Sequence, residues 1–270
     1  MGNVYRILAI TFKEGIRNRA LQGILCLAFL LCIVYLGVMQ MFAFETGKVM
    51  LDLGSASVSI AGLVIVVFLA ISMLTRDLHQ RSICLILSRP VSRLQYVCGK
   101  FSGLALMVLT AVMLIACVAF ISSLIGFKIT VEMSTLRNFS LIQLGVAVFL
   151  KYLALVLLLS IAFLFSVATS NEYLSMLLTM MTYLIGNSLE TVVKVATVGS
   201  DVKLSFAYLA ALKVLTWVFP NFNAFDLRVY VAYGLELPVA HILWTALYGL
   251  LYIVLTLSLT IMVFNRREIR

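Results

Sequence analysis

Uncharged apolar runs of about 18 residues or more recur along this chain of 270 residues, and each is long enough to cross a hydrocarbon core about 30 Å thick. Backbone N–H and C=O groups in lipid must find partners within their own segment, so helices are the expected spanning form. The runs are solid, without the period-two alternation of a transmembrane barrel. The spans expected from such runs fall at roughly 21–42, 57–75, 101–126, 145–168, 173–190 and 241–264, the fourth including Lys151 and the fifth ending at Glu190. The expected fold is all-α, a polytopic membrane helix bundle with about six transmembrane helices in a single domain spanning 1–270. Composition agrees: with 63% hydrophobic and 11% charged residues, too few polar side chains exist to cover a soluble domain of this size.

Before the first run, residues 3–19 place Val4, Ile7, Leu8, Phe12 and Ile16 near helical spacing, with Arg6, Lys13 and Arg17 on another side. That pattern predicts an N-terminal interfacial helix over about 1–20; a charged lead-in to the first span is the alternative. No small-residue cleavage site follows the first run, so it is expected to stay as an anchor. Of the 20 basic residues, 12 fall in 1–20, 76–100 and 265–270. The excess of Lys and Arg in those segments predicts that both termini and the 76–100 loop are cytoplasmic. The segment 191–240 is then extracytoplasmic. Within it, residues 204–219 are apolar but short, carry Lys213, and end at Pro220, Asn221 and Asn223, which predicts a re-entrant or interfacial helix. Lys151, near the outer end of the fourth run, is expected to snorkel.

The formal charge of +9 is explained by topology and anionic lipid, and no nucleic-acid partner is expected. The five cysteines are Cys26, Cys32, Cys84, Cys98 and Cys117; none is spaced with histidine as a metal ligand would be. The two histidines, His79 and His241, are far apart, and no HExxH, CxxC or GxSxG motif occurs. Membrane-embedded catalysis, a metal and a cofactor are therefore not expected. Neither Gly47–Lys48 nor Gly99–Lys100 has the upstream glycine of a phosphate-binding loop, so the chain carries no such ATP site of its own. The runs are nearly free of mid-membrane acids and bases, which argues against ion coupling. Clustered methionines such as Met176, Met180 and Met181 read as packing residues rather than copper ligands, since no Cys or His joins them. Gly99 and Gly103 permit close helix approach, with packing inside one subunit favoured.

The informative segment is 76–100, RDLHQRSICLILSRPVSRLQYVCGK. Asp77, His79, Arg81, Arg89, Arg93 and Lys100 are interleaved with Ile83, Leu85, Ile86 and Leu87, which suits a short helix on the membrane face ended by Pro90. The segment resembles the first cytoplasmic loop of type-two ABC transporter permeases. The match is carried by Asp77, Ser82, Leu85, Leu87, the run Ser88-Arg89-Pro90-Val91-Ser92-Arg93, and Gly99-Lys100. The stretch 12–19 looks like that family's interfacial helix, and the Pro-Asn-Phe-Asn patch at 220–223 is similar as well. The chain departs from the family in having Asp77 for the usual Glu and His-Gln-Arg for the common Gly-Thr approach.

That resemblance implies the membrane-spanning permease subunit of an ATP-driven exporter in the cell inner (plasma) membrane. Its implied partners are a cytoplasmic ABC ATPase subunit and a second permease copy, as homo- or heterodimer, in the lipid bilayer. Asp77, Arg81, Arg89, Pro90 and Arg93 would form the ATPase-coupling site. An ion-coupled secondary carrier and a non-transporting membrane assembly subunit are the alternatives.

Overall fold

The computed structural model describes residues 2–39, 46–79, 92–129, 141–169, 171–198, 214–216, 218–233 and 239–266. Helix α1 is Gly2–Arg17, α2 Arg19–Met39, α3 Thr46–Val64, α4 Ile71–His79, α5 Arg93–Ile129, α6 Leu141–Thr169, α7 Glu172–Val198, α8 Arg228–Tyr233 and α9 Val239–Arg266. A π-helical segment, Ile65–Ala70, joins α3 to α4 without a break, and a 3-10 turn, Asn223–Phe225, precedes α8. No strand occurs among the described residues.

Five helical stretches have the length and apolarity to cross a membrane: Asp52–Arg76, Arg93–Ile121, Ile142–Thr169, Glu172–Val195 and Val239–Arg266. Helix α2 is the sixth apolar helix, 21 residues long, or about 30 Å at 1.5 Å per residue. The chain is thus a polytopic helical membrane bundle. Two boundaries move from those expected. The third expected span begins at Arg93 instead of residue 101, and the helix of the second begins at Thr46 instead of residue 57. Apolarity marks where lipid begins, whereas the hydrogen-bond ladder continues until a cap ends it. At Arg93 that cap is explicit: Ser92 Oγ accepts from the Gln95 backbone N–H and Gln95 Oε1 from that of Ser92, both at 3.2 Å, a reciprocal capping box. At α7, Asn171 Oδ1 accepts from the Tyr173 N–H at 3.0 Å and serves as N-cap.

Helix α6 is the axis of the bundle. Every residue from Leu153 to Phe163 is buried, and the helix packs against α5, α7 and α9. The stretch Asp52–Arg76 is 72% buried across its apolar window, whereas Glu172–Val195 is only 17% buried. The first is therefore core, and α7 is peripheral, offering Tyr173, Leu177, Met181 and Leu184 outward. Because lipid is as apolar as the core, close packing and interhelical hydrogen bonds carry association. Thr256 Oγ1 on α9 donates to Ser160 Oγ on α6 at 2.7 Å, fully buried, and Tyr152 Oη on α6 donates to the Ala105 carbonyl of α5 at 3.3 Å.

Helix α1 lies against the first turns of α5. Gly99 and Gly103 make this approach available: a Cβ at Gly103 would stand 2.7 Å from the Thr11 Cβ, and one at Gly99 2.9 Å from the Ile7 Cβ. Gly15 on α1 returns the arrangement by receiving the Met107 side chain of α5. These glycines therefore serve contacts within one chain. The expected amphipathic face is present with a shift: Thr11 and Gly15 are its most buried members, while Ile16 is exposed. Most of 204–219 lies outside the described residues; helical backbone at 214–216 and 218 stops before Pro220.

Candidate functional site

The two ends of the 76–100 segment converge on one carboxylate. Arg76, just before the end of α4, donates to Glu14 Oε1 of α1. Lys100 of α5 stands 3.9 Å from Glu14 Oε2, its side chain only 4% exposed. A buried ammonium is costly unless an anion stands nearby, and Glu14 is that anion. The amphipathic helix, the helix entering the loop and the helix leaving it thus meet at an ion cluster that includes Glu14, Arg76 and Lys100.

Arg93 adds a second tie. Its Nη1 donates to the carbonyls of Phe264 and Asn265, at 2.9 and 3.1 Å, in the last turn of α9. Those carbonyls have no partner within the helix, and a cation there also opposes the negative end of the helix dipole. The guanidinium carbon lies 5.7 Å from the Phe264 ring centroid, and Tyr96 stacks on the same ring at 6.3 Å. The first turn of α5 is thereby fastened to the C-terminal end of the last helix.

Of the five residues expected to couple to an ATPase, Asp77 lies near the end of α4 and Arg93 opens α5. Arg81, Arg89 and Pro90 lie outside the described residues. Sequence reasoning missed Glu14 as a partner of Arg76, since 62 residues separate them. It also missed the start of α5, for which Ser92 and Gln95 were a readable signal.

The opposite end of the bundle carries a second polar group. Asp226, between the 3-10 turn and α8, accepts from Arg228 Nε at 3.0 and 2.7 Å through its two oxygens, and Arg228 Nη2 lies 2.6 Å from Oδ2. Asp52 stands 4.0 Å from Arg228 Nη1, and Lys151 of α6 stands 3.9 Å from Asp226 Oδ2. Burial pushes the Asp226 carboxyl up, but hydrogen bonds from Arg228 and the charges of Lys151 and Arg228 outweigh it, so the group sits below its ordinary value. The Asp226 hydrogen bonds hold Arg228 above its own ordinary value. The Lys151 side chain is largely buried, because α6 is central and its neighbours are protein.

Beside this group, α3, α5, α6 and the 225–231 segment line a cavity of about 70 Å³. Next to it, Glu190 of α7 accepts from the side-chain amides of Asn221 and Asn223 at 3.1 and 3.2 Å. Tyr248 Oη of α9 accepts from the Asn221 backbone N–H at 3.1 Å. The Pro-Asn-Phe-Asn patch is thus a latch between α7 and α9. Gly186 leaves the room it needs, since a Cβ there would meet the Pro220 carbonyl and Phe222. No cluster able to hold a metal occurs among the described residues.

Compared with known proteins, the chain matches over residues 5–269 a family model described as ABC-2 family transporter protein. No curated protein matches it significantly.

Proposed function

Because the chain belongs to the ABC-2 transporter family and is the multi-pass membrane component of such a transporter, we propose that it is the permease of an ATP-driven exporter, moved through its 76–93 loop by a separate cytoplasmic ATPase. In this reading both termini and the loop face the cytoplasm of a cell whose inner (plasma) membrane holds the protein, and a second permease copy completes the pathway. Asp77, Arg81, Arg89, Pro90 and Arg93 form the surface seated on the ATPase.

The observation that supports this reading most is the attachment of the loop's flanks. Arg76 and Lys100 share Glu14, and Arg93 holds the end of α9. A displacement of the loop therefore reaches α1, α4, α5 and α9 together, as rigid-body rocking of spans requires. A loop tethered only by its own backbone would yield locally instead.

Two variants test the proposal. Arg81→Glu combined with Arg89→Glu is expected to leave the chain inserted and to abolish co-purification of the ATPase subunit; retained co-purification removes the loop from the interface. Glu14→Gln is expected to keep the ATPase bound while lowering transport-coupled ATP hydrolysis about tenfold, a loss of roughly 1.4 kcal/mol in coupling. Unchanged hydrolysis in that variant refutes transmission through the cluster. Transport driven by a pH gradient in proteoliposomes lacking any ATPase refutes the exporter reading itself.

A further inference from the structure

We propose that the cavity between α3, α5, α6 and the 225–231 segment binds an amphipathic anion, its head on Lys151 and its apolar part against the alanine-rich wall. The inference goes beyond the transport reading and stands without it, since binding is a property of the isolated chain.

The walls are apolar, with Ala116, Ala119 and Ala147 beside the larger Phe120, Leu144 and Phe225. The two serines of the lining are already engaged: Ser59 Oγ donates to the Ser55 carbonyl at 2.9 Å, and Ser55 Oγ to the Asp52 carbonyl at 2.8 Å. The polar character of the space therefore comes from its charged end, where Lys151, Asp226 and Arg228 all contribute to the lining. Asp52, outside the lining, stands 4.0 Å from Arg228 and balances it, so within the lining Lys151 is the cation whose only anion, Asp226, is shared.

The division of partners identifies the reactive group. Arg228 takes both oxygens of Asp226. Lys151 Nζ stands 3.9 Å from the same carboxylate, beyond hydrogen-bond reach, so its three donors have no close acceptor among the described residues. An ammonium this buried is poorly compensated by a distant anion; a carboxylate or phosphate entering the cavity supplies the acceptor. At about 70 Å³ the cavity exceeds the roughly 10–15 Å³ that one water needs, leaving room for a head group and the start of a chain. A wholly polar anion would leave the alanine wall unused, and a neutral lipid would leave Lys151 unserved.

The test uses the full-length chain in phosphatidylcholine nanodiscs titrated with the fluorescent fatty-acid anion dansyl-undecanoate. Saturable binding above the partition into empty discs is expected. Lys151→Gln weakens it about tenfold, Lys151→Arg retains it, and the neutral amide of the same probe shows partition alone. Ala147→Phe fills the cavity without touching the charges and abolishes the saturable phase. Laurate and dodecyl phosphate both compete if any alkyl anion fits, and competition by only one of them names the head group. Competition by inorganic phosphate at equal strength overturns the apolar half of the proposal. Absence of saturable binding in the wild type, or binding as strong as in the wild type by either Lys151→Gln or Ala147→Phe, overturns it entirely. Should Lys151→Gln fail to insert, the amide probe and Ala147→Phe still decide.

Discussion

Asp226 is a carboxylate under opposed influences, burial raising its proton affinity and the cations of Arg228 and Lys151 lowering it further than burial raises it. A group whose folded pKa lies below its unfolded value contributes stability that is present above the unfolded pKa. That contribution is lost as pH falls through the folded one. Thermal unfolding in detergent should therefore show a stabilising contribution that is flat above about pH 4, the ordinary aspartate range, and that declines in more acid solution. Asp226→Asn should remove this part of the acid dependence while costing about 1–3 kcal/mol at neutral pH, because Arg228 loses a doubly bonded partner. An unchanged acid profile would show that other carboxylates govern it. The residue was readable only as one acid in a long extracytoplasmic stretch. Its partner Lys151 lies 75 positions away on α6, and nothing local marks the pair. Glu14 is a similar case: its charge is plain in the sequence, but its meeting with Arg76 and Lys100 depends on how α1 lies across α5.

At the scale of elements, apolar runs identify the spans because each run must satisfy its own backbone in lipid. They identify the ends poorly. Helix α5 extends eight residues ahead of its expected start because Arg93 and Lys100 find partners on α9 and α1, which makes polar residues tolerable there. The π segment Ile65–Ala70 has no signature in hydropathy; five of its six residues are buried, and only the wider turn distinguishes it. Such insertions offset the helix below from the helix above, so one helical wheel cannot describe both α3 and α4. The glycine pair is more legible, since Gly99 and Gly103 sit four apart, although the spacing alone does not name the helix they receive. Gly103→Val should push α1 off α5, costing about 1–3 kcal/mol through overpacking. Faster proteolysis within residues 2–17 would register it, with the thermal midpoint falling in parallel. Unaltered protection of that segment would mean that α1 is held by its ion cluster rather than by close packing.

For the whole molecule, the distribution of Lys and Arg predicts one orientation, and the fold separates two polar ends that labelling can address. In a cysteine-free background of the intact cell, Ser92→Cys and Asn265→Cys should react only with a membrane-permeant maleimide. Asp52→Cys and Val218→Cys should react with an impermeant one. Reaction of Ser92→Cys from outside would invert the protein and place the charged loop beyond reach of any cytoplasmic ATPase. Bundle class and approximate span number follow from composition and run length. Which helices are central does not, because the Arg93–Ile121 stretch is more apolar than Ile142–Thr169 yet is less enclosed.

The joint at the start of α5 bears on how the protein is made. Helix α1 can settle onto Gly99 and Gly103 once the third span has left the ribosome, but the carbonyls that Arg93 grips belong to α9, made more than 140 residues later. Assembly of this corner therefore waits for the insertion of α9, and a polypeptide cut short before residue 239 would reach the bilayer with its corner open. The same geometry makes the far end of the chain a poor place for a rigid fusion, whereas a flexible extension beyond Arg266 leaves the grip undisturbed.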